Sequence, residues 1–172
     1  MAESGLIVRV QEAEALVDDL RLRYTEDAQL GVPAHITVLF PFMAPECIDD
    51  AIVARLGEAL SAHRAFEFSL AAVGRFPATT YLAPEPPAPF VALTDALARE
   101  FPEHPPFRGE FAHVVPHLTV AHGDEAAAAM VERDLTARLV ARGPVQSRCV
   151  AVELYENATG RWRPMRRFEL AR

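Results

Sequence analysis

The chain has 172 residues, 51% of them hydrophobic, and a formal net charge of −7. That length and apolar content suffice for one sizeable core or for two small lobes sharing an interface. The negative charge argues against long duplex nucleic acid as a partner, because such binding depends on neutralising many phosphates.

No apolar run reaches bilayer length, and Met1-Ala2-Glu3-Ser4-Gly5 lacks the charged start and apolar stretch of a signal peptide. A cytoplasmic, monomeric protein with no membrane partner is expected. Cys47 and Cys149 are too few for a disulfide framework and have no C-x-x-C spacing, so they read as small apolar residues. All 17 basic residues are arginine, and Arg161, Arg163, Arg166, Arg167 and Arg172 crowd the end of the chain. Arginine's planar fork suits phosphate oxygens, whereas the ordinary reading is a terminal strand with its charges on a solvated face.

Gly5 to Val10 reads as a strand and Glu12 to Tyr24 as a helix, with Leu16, Leu20 and Tyr24 at helical spacing. After a loop with Gly31 and Pro33, His35 to Phe40 is a strand that stops at Pro41. Asp49 or Asp50 caps a helix running to about His63, with Ile52, Val53, Leu56 and Leu60 along its apolar stripe. Phe66 to Val73 alternates as a half-buried strand, and Thr79 to Ala83 is its hairpin partner across Phe76-Pro77-Ala78. Pro84 to Pro89 is proline-dense and is predicted to be a semi-rigid connector. Phe90 to Phe101 is a helix, Pro102 to Gly109 a loop, Pro116 to Ala121 a strand, and Asp124 to Ala141 a long helix with a Val131, Leu135, Leu139 stripe. Val145 to Tyr155 and Trp162 to Leu170 read as two strands around a turn at Asn157-Ala158-Thr159-Gly160. The halves rhyme as motif strand, helix and strand pair, which suggests internal duplication and an α+β class.

The rhyme centres on His35-Ile36-Thr37-Val38 and His117-Leu118-Thr119-Val120. In a strand, successive side chains alternate faces, so H-x-T places an imidazole and a hydroxyl on one face while the intervening residue points into a core. Two such strands facing each other would form a paired-histidine acid–base site. A lone H-x-T is ordinarily a satisfied histidine beside a β-favouring threonine. His113, His117 and His122 lie near one another in sequence and form a candidate metal set, but His122 takes the opposite strand face and no carboxylate or thiolate cluster completes it.

The segments Gly31-Val32-Pro33-Ala34-His35-Ile36-Thr37-Val38-Leu39-Phe40-Pro41-Phe42 and Val115-Pro116-His117-Leu118-Thr119-Val120-Ala121 closely resemble the two signatures of the 2H phosphoesterase superfamily, in particular its 2′-5′ RNA ligase-like group. Arg75-Phe76-Pro77 and Tyr81-Leu82-Ala83-Pro84 resemble the same group. The resemblance implies one bilobal domain over residues 1–172. Its two antiparallel sheets, with helices on their outer faces, would be related by a pseudo-twofold axis around a central cleft. It also implies phosphodiester chemistry without a metal or other cofactor, opening 2′,3′-cyclic or related phosphates of nucleotides or short RNA ends, in some members with 2′-5′ RNA joining.

On that reading His35 and His117 share the acid and base roles, in an order the sequence leaves open. Thr37 and Thr119 hydrogen-bond the non-bridging phosphate oxygens. Phe40 and Phe42 are candidates to wall the cleft, Tyr81, Tyr155 or Trp162 to stack on a base, Arg75 and Arg108 to contact phosphate or ribose, and His122 to sit at the cleft edge. The ordinary role of each aromatic is core packing, and of each arginine solubility. A non-catalytic nucleotide or RNA-end binder and a metal-dependent hydrolase are the alternatives.

Overall fold

The computed structural model describes residues 1–172 in the order β1 (Ser4–Arg9), α1 (Glu14–Tyr24), α2 (Glu26–Gln29), β2 (His35–Leu39), α3 (Asp50–Ser61), β3 (Phe66–Phe76), β4 (Thr79–Glu85), α4 (Ala88–Glu100), β5 (Leu118–His122), α5 (Glu125–Arg142), β6 (Val145–Cys149), β7 (Ala151–Glu156) and β8 (Arg163–Glu169). The strands form two antiparallel four-stranded sheets, β2-β1-β7-β8 and β5-β4-β3-β6. One sheet collects the strands nearest the two chain ends and the other the central strands, as the α+β reading with two sheets requires. Both motif strands, β2 and β5, are edge strands, and they lie beside each other without pairing.

The two sheets correspond position by position, β2 with β5, β1 with β4 and β7 with β3. Helix packing follows the same correspondence with a crossing. Helix α1 connects β1 to β2 yet packs on β5 of the other sheet, while α4 connects β4 to β5 yet packs on β2. Helix α3 rests on β8, and α5 covers β3, β4 and β5. Each sheet is thus roofed partly by a helix from the opposite half. One continuous cluster of buried side chains results, running from Leu6, Ile36 and Val38 through Leu93 and Leu97 to Leu82, Leu118, Val120 and Leu135.

Hydrogen bonds and ion pairs between helices repeat the pattern. Arg138 on α5 holds both carboxylate oxygens of Asp19 on α1, at 2.7 and 2.8 Å, and also donates to the Leu16 carbonyl. Arg55 on α3 reaches Glu100 on α4 at 2.7 Å. The helix following each motif strand starts at an aspartate that accepts a backbone N–H: Asp49 from Ile52 at 2.9 Å and Asp124 from Ala127 at 2.6 Å. Of the two capping candidates for α3, Asp49 takes the role.

Three sequence expectations change. The segment Val145 to Tyr155 is not one strand: it breaks at the exposed Val150 into β6, paired with β3, and β7, paired with β1 in the other sheet. Cys149-Val150-Ala151-Val152 is an unbroken apolar run, so nothing in the pattern marks the crossing. The proline connector shrinks to Pro86-Pro87, because β4 runs through Pro84 to Glu85 and α4 begins at Ala88. Pairing of β4 with β5 ends at Leu82, so Pro84 has a strand on one side only, where a residue lacking an N–H is tolerated. The second motif strand starts at Leu118, leaving His117 just before it and His122 inside it. No helix is long and apolar enough to cross a membrane.

Because α3 and α5 carry the flanks of both motif strands, loss of either cap should register globally. Asp49→Ala and Asp124→Ala are each expected to cost about 0.5–2 kcal/mol in denaturant unfolding. Unchanged midpoints in both would contradict the assigned caps.

Candidate active site

Residues directly opposite one another in antiparallel strands share a face, so the register identifies what surrounds each motif. In the terminal sheet His35 stands opposite Arg9, and Thr37 heads a row across Ile7, Glu153 and Arg167. In the central sheet Thr119 stands opposite Tyr81 and then Gly74, while His122, Thr79 and Phe76 form the next row. Ile36, Val38, Leu118 and Val120 point the other way and are buried. With β2 and β5 side by side, the two motif faces adjoin, and the surface between them is the candidate groove. Cavities of ≈ 260 and ≈ 290 Å³ open elsewhere, one at Glu12, Leu16 and Arg142, the other at Ala71, Val73 and Leu139, and neither includes a motif residue.

Both motif histidines are held in the same way. His35 Nδ1 lies 2.8 Å from the Pro33 carbonyl and His117 Nδ1 lies 2.6 Å from the Val115 carbonyl, each two residues upstream. A carbonyl only accepts, so Nδ1 carries the proton in each ring and Nε2 is left with its lone pair. Two rings in one tautomer, each fixed by its own backbone, can take a proton at Nε2 or, once protonated, give one.

Their surroundings differ. His35 Nε2 is 4.0 Å from the Asp27 carboxylate, and Asp27 is held by Arg21 at 3.1 Å and by the Ala28 N–H at 2.8 Å. Burial, reinforced by the Arg21 charge, pushes the His35 imidazolium down to about 4, with Asp27 opposing and His117 adding a smaller repulsion. His117 is also lowered, chiefly by burial and slightly by His122. His117 sits against aromatic rings, with centroids 5.5 Å from Phe76 and 5.3 Å from Tyr81. The Tyr81 ring lies over Gly74, where any Cβ would overlap it.

The remaining predicted residues are dispersed. Phe42 is buried against Phe101 and His104, so it belongs to the core and does not wall the groove. Phe40 is half-buried and edge-on to Trp162 at 5.9 Å. Tyr155 is buried with Ile7 and Val32. Arg75 is occupied by Glu132 at 3.3 Å and the Pro77 carbonyl at 3.1 Å. Arg108 is 68% exposed, paired with Glu3 at 3.3 Å, on a loop whose Phe107 and Arg108 both have positive φ. His122, beside Thr79 at 2.8 Å, occupies the end of the groove face. Among the terminal arginines, Arg163 pairs with Glu156 and Arg167 with Glu153 and Glu169, which accords with a solvated, ion-paired strand. No three His, Cys, Asp or Glu side chains converge in a set able to hold a metal ion, so His113, His117 and His122 do not form one.

Sequence reasoning missed Arg21 and Asp27. The signal for Arg21 was present: four residues after the buried Val17 and five after Leu16, it falls on the inward stripe of α1. Asp27 is in a short helix whose proximity to β2 depends on the fold.

Two outcomes follow for the free protein. A folded state that disfavours imidazolium binds fewer protons than the unfolded chain, so stability is complete above the ordinary histidine range and declines as pH falls toward 4. His35 alone should remove on the order of 2 kcal/mol by about pH 5, read by denaturant melts, with a smaller slope in His35→Gln; a flat profile would contradict the burial. Gly74→Ala should force the Tyr81 ring from its place beside His117 and cost about 1–3 kcal/mol, and an unchanged melt with unmoved Tyr81 resonances would refute the contact.

Comparison with solved structures places this fold in a known setting. Escherichia coli LigT complexed with 3′-AMP matches at 15% identity and a TM-score of 0.67, covering 99% of this chain and 98% of that one. A structure described as a phosphoesterase matches at 17% identity and 0.64, covering 100% of both chains. TT0787 of Thermus thermophilus matches at 16% and 0.61, covering 97% of both. At these identities the likeness establishes the fold. No curated protein matches the sequence. The model of the 2′-5′ RNA ligase superfamily matches residues 9–161. With most of its length inside that match, the chain belongs to the 2′-5′ RNA ligase superfamily, the two-histidine phosphoesterases.

Proposed function

We propose that the protein is a phosphodiesterase that opens 2′,3′-cyclic or related cyclic phosphates of nucleotides or short RNA ends, with His35 and His117 as acid and base and no metal in the reaction. The observation that carries this reading is the shared Nδ1 anchoring of both histidines, which leaves two Nε2 atoms of the same tautomer at the heads of two adjoining strands. One Nε2 removes a proton from water as its oxygen bonds to phosphorus. The other ring, as imidazolium, protonates the sugar oxygen as the P–O ester bond breaks. Thr37 and Thr119 are half-buried, and in this reading their hydroxyls donate to the non-bridging oxygens as charge builds on them.

The bound state of LigT supports the substrate class. 3′-AMP is one of the two monoesters that opening of 2′,3′-cyclic AMP yields, and LigT has also been seen with ATP and NADP+. The aromatic pair Phe76 and Tyr81, centroids 4.6 Å apart beside His117, offers a stacking surface of the kind unpaired bases use. The net charge of −7 favours a small substrate over a long RNA.

Purified protein should hydrolyse a 2′,3′-cyclic nucleotide in the presence of chelator with a bell-shaped pH profile. His35→Ala and His117→Ala should each lower kcat by about 10²–10⁴-fold with a smaller change in KM, assayed by mass of product over a panel of cyclic phosphates and RNA ends. Turnover surviving in the double variant would overturn the assignment, and chelator-abolished turnover would turn it toward a metal-dependent hydrolase.

A further inference from the structure

We propose that Arg21 is a positioning residue for both motif histidines: a single buried guanidinium that ties β2 to β5 and, with Asp27, makes the two histidines electrostatically unequal. Arg21 is 2% exposed, so its donors must be met from within the protein. It donates from Nε to the Thr119 carbonyl at 3.2 Å, from one terminal nitrogen to the Val32 carbonyl at 3.2 Å, and from the other to Asp27 at 3.1 Å. Thr119 is the hydroxyl residue of the second motif. Val32 precedes Pro33, the residue whose carbonyl fixes His35. Asp27 faces His35 Nε2. Three short links therefore connect one side chain to the supports of both motifs.

The need for such a residue comes from the edge strands. Thr119 pairs with Tyr81 on one side of β5, and its other side has no strand neighbour. A buried carbonyl there must find a donor from another element. At the corresponding place in the other half, the Thr94 hydroxyl of α4 donates to the Val38 carbonyl of β2 at 2.8 Å. A threonine meets that requirement on β2, whereas an arginine meets it on β5. Hydrogen-bond economy alone does not require a buried cation, which carries a desolvation cost. The additional reach of the guanidinium, to Val32 and Asp27, is what the threonine lacks. The fork geometry suits three acceptors in one plane, which an ammonium cannot span.

The charges facing this point are few. Around Arg21 stand Asp27 from α2 and, farther off, Asp18 and Glu14 from its own helix. Around His35 stand Arg21, Asp27 and, across the groove, His117. Around His117 stand His122, the Tyr81 ring and, across the groove, His35. With Asp27 the Arg21 guanidinium faces His35, whereas toward His117 its link is the hydrogen bond to the Thr119 carbonyl.

The inference rests on the proposed acid–base reading of the histidines, so its test includes a measurement that needs no turnover. Histidine ring resonances are followed against pH in the wild type, Arg21→Gln, Arg21→Lys and Asp27→Asn, alongside thermal melts and steady-state kinetics on a 2′,3′-cyclic nucleotide well below every melting temperature. In Arg21→Gln the His35 midpoint should rise by about one pH unit while that of His117 stays fixed. Asp27→Asn should move His35 the opposite way. Activity in Arg21→Gln should fall by about 10²-fold, carried by kcat with KM little changed. Arg21→Lys should restore the His35 midpoint but not the rate, because charge returns without the fork. Equal His35 midpoints in wild type and Arg21→Gln would overturn the proposal, as would a lysine variant with full activity, or both histidines moving together. If Arg21→Gln does not fold, the lysine and Asp27→Asn variants decide it by the same criteria. A wild type that turns over no cyclic phosphate would defeat the functional reading alone, and the titrations would still decide the role of Arg21.

Discussion

Two edge strands must lie beside each other without pairing, and the rest of the molecule is arranged around that requirement. An unpaired strand edge exposes a row of N–H and C=O groups that invites another strand. If β2 and β5 joined through those edges, the two sheets would become one and the groove between the motif faces would close. The structure covers the edges with helices from the opposite half, α4 on β2 and α1 on β5, and supplies individual donors where a carbonyl is buried: Thr94 to Val38 and Arg21 to Thr119. The crossing of the helices is thus what allows the two motifs to remain close and separate.

Local chemistry then sets the histidines. Each takes its orientation from a carbonyl two residues upstream, so the ring geometry is encoded within a few residues and repeats wherever the motif repeats. The difference between the two sites comes from distant residues. Asp27 and Arg21 flank His35, while Phe76 and Tyr81 flank His117. A pseudo-symmetric backbone therefore carries a chemically asymmetric pair. An acid–base mechanism requires that asymmetry, because one ring must hold a proton while the other does not.

What could be read from the chain follows the range of the interactions involved. The H-x-T strands were legible because a period of two is local, and a cap at Asp49 or Asp50 was legible because N-cap chemistry spans three residues. The α+β class followed from the succession of such signals, and the two-sheet arrangement from the resemblance of the H-x-T segments to the superfamily signatures. The split of Val145 to Tyr155 was not legible: Cys149 and Ala151 are both buried, but in different sheets, and burial looks the same in sequence whichever sheet supplies it. Phe42 sits two residues beyond Phe40, close enough to the motif to suggest a groove wall, yet its ring turns to Phe101 and His104 after the chain bends at Pro41. Arg21 stood on an apolar stripe where a charge is out of place, and only its three distant acceptors explain why it is there.

The depressed histidines give the site a definite character. In the free protein, burial leaves both rings neutral near neutral pH, which by itself would provide two bases and no acid. Under the proposed function, a phosphodiester bound between the histidines would bring a negative charge to within reach of both Nε2 atoms, and a nearby opposite charge favours the imidazolium. Binding and protonation are then coupled: the substrate's own charge recruits the proton that its leaving oxygen will need. Release of a product and return of the rings to their buried neutral state would shed that proton again. On this account the low affinity of the free rings for protons is compatible with acid catalysis, and it keeps the charged form of the site for the moment when a phosphate is present. A chain of net charge −7 can in this way hold an anion through a local, ligand-induced positive charge and needs no basic surface to do so.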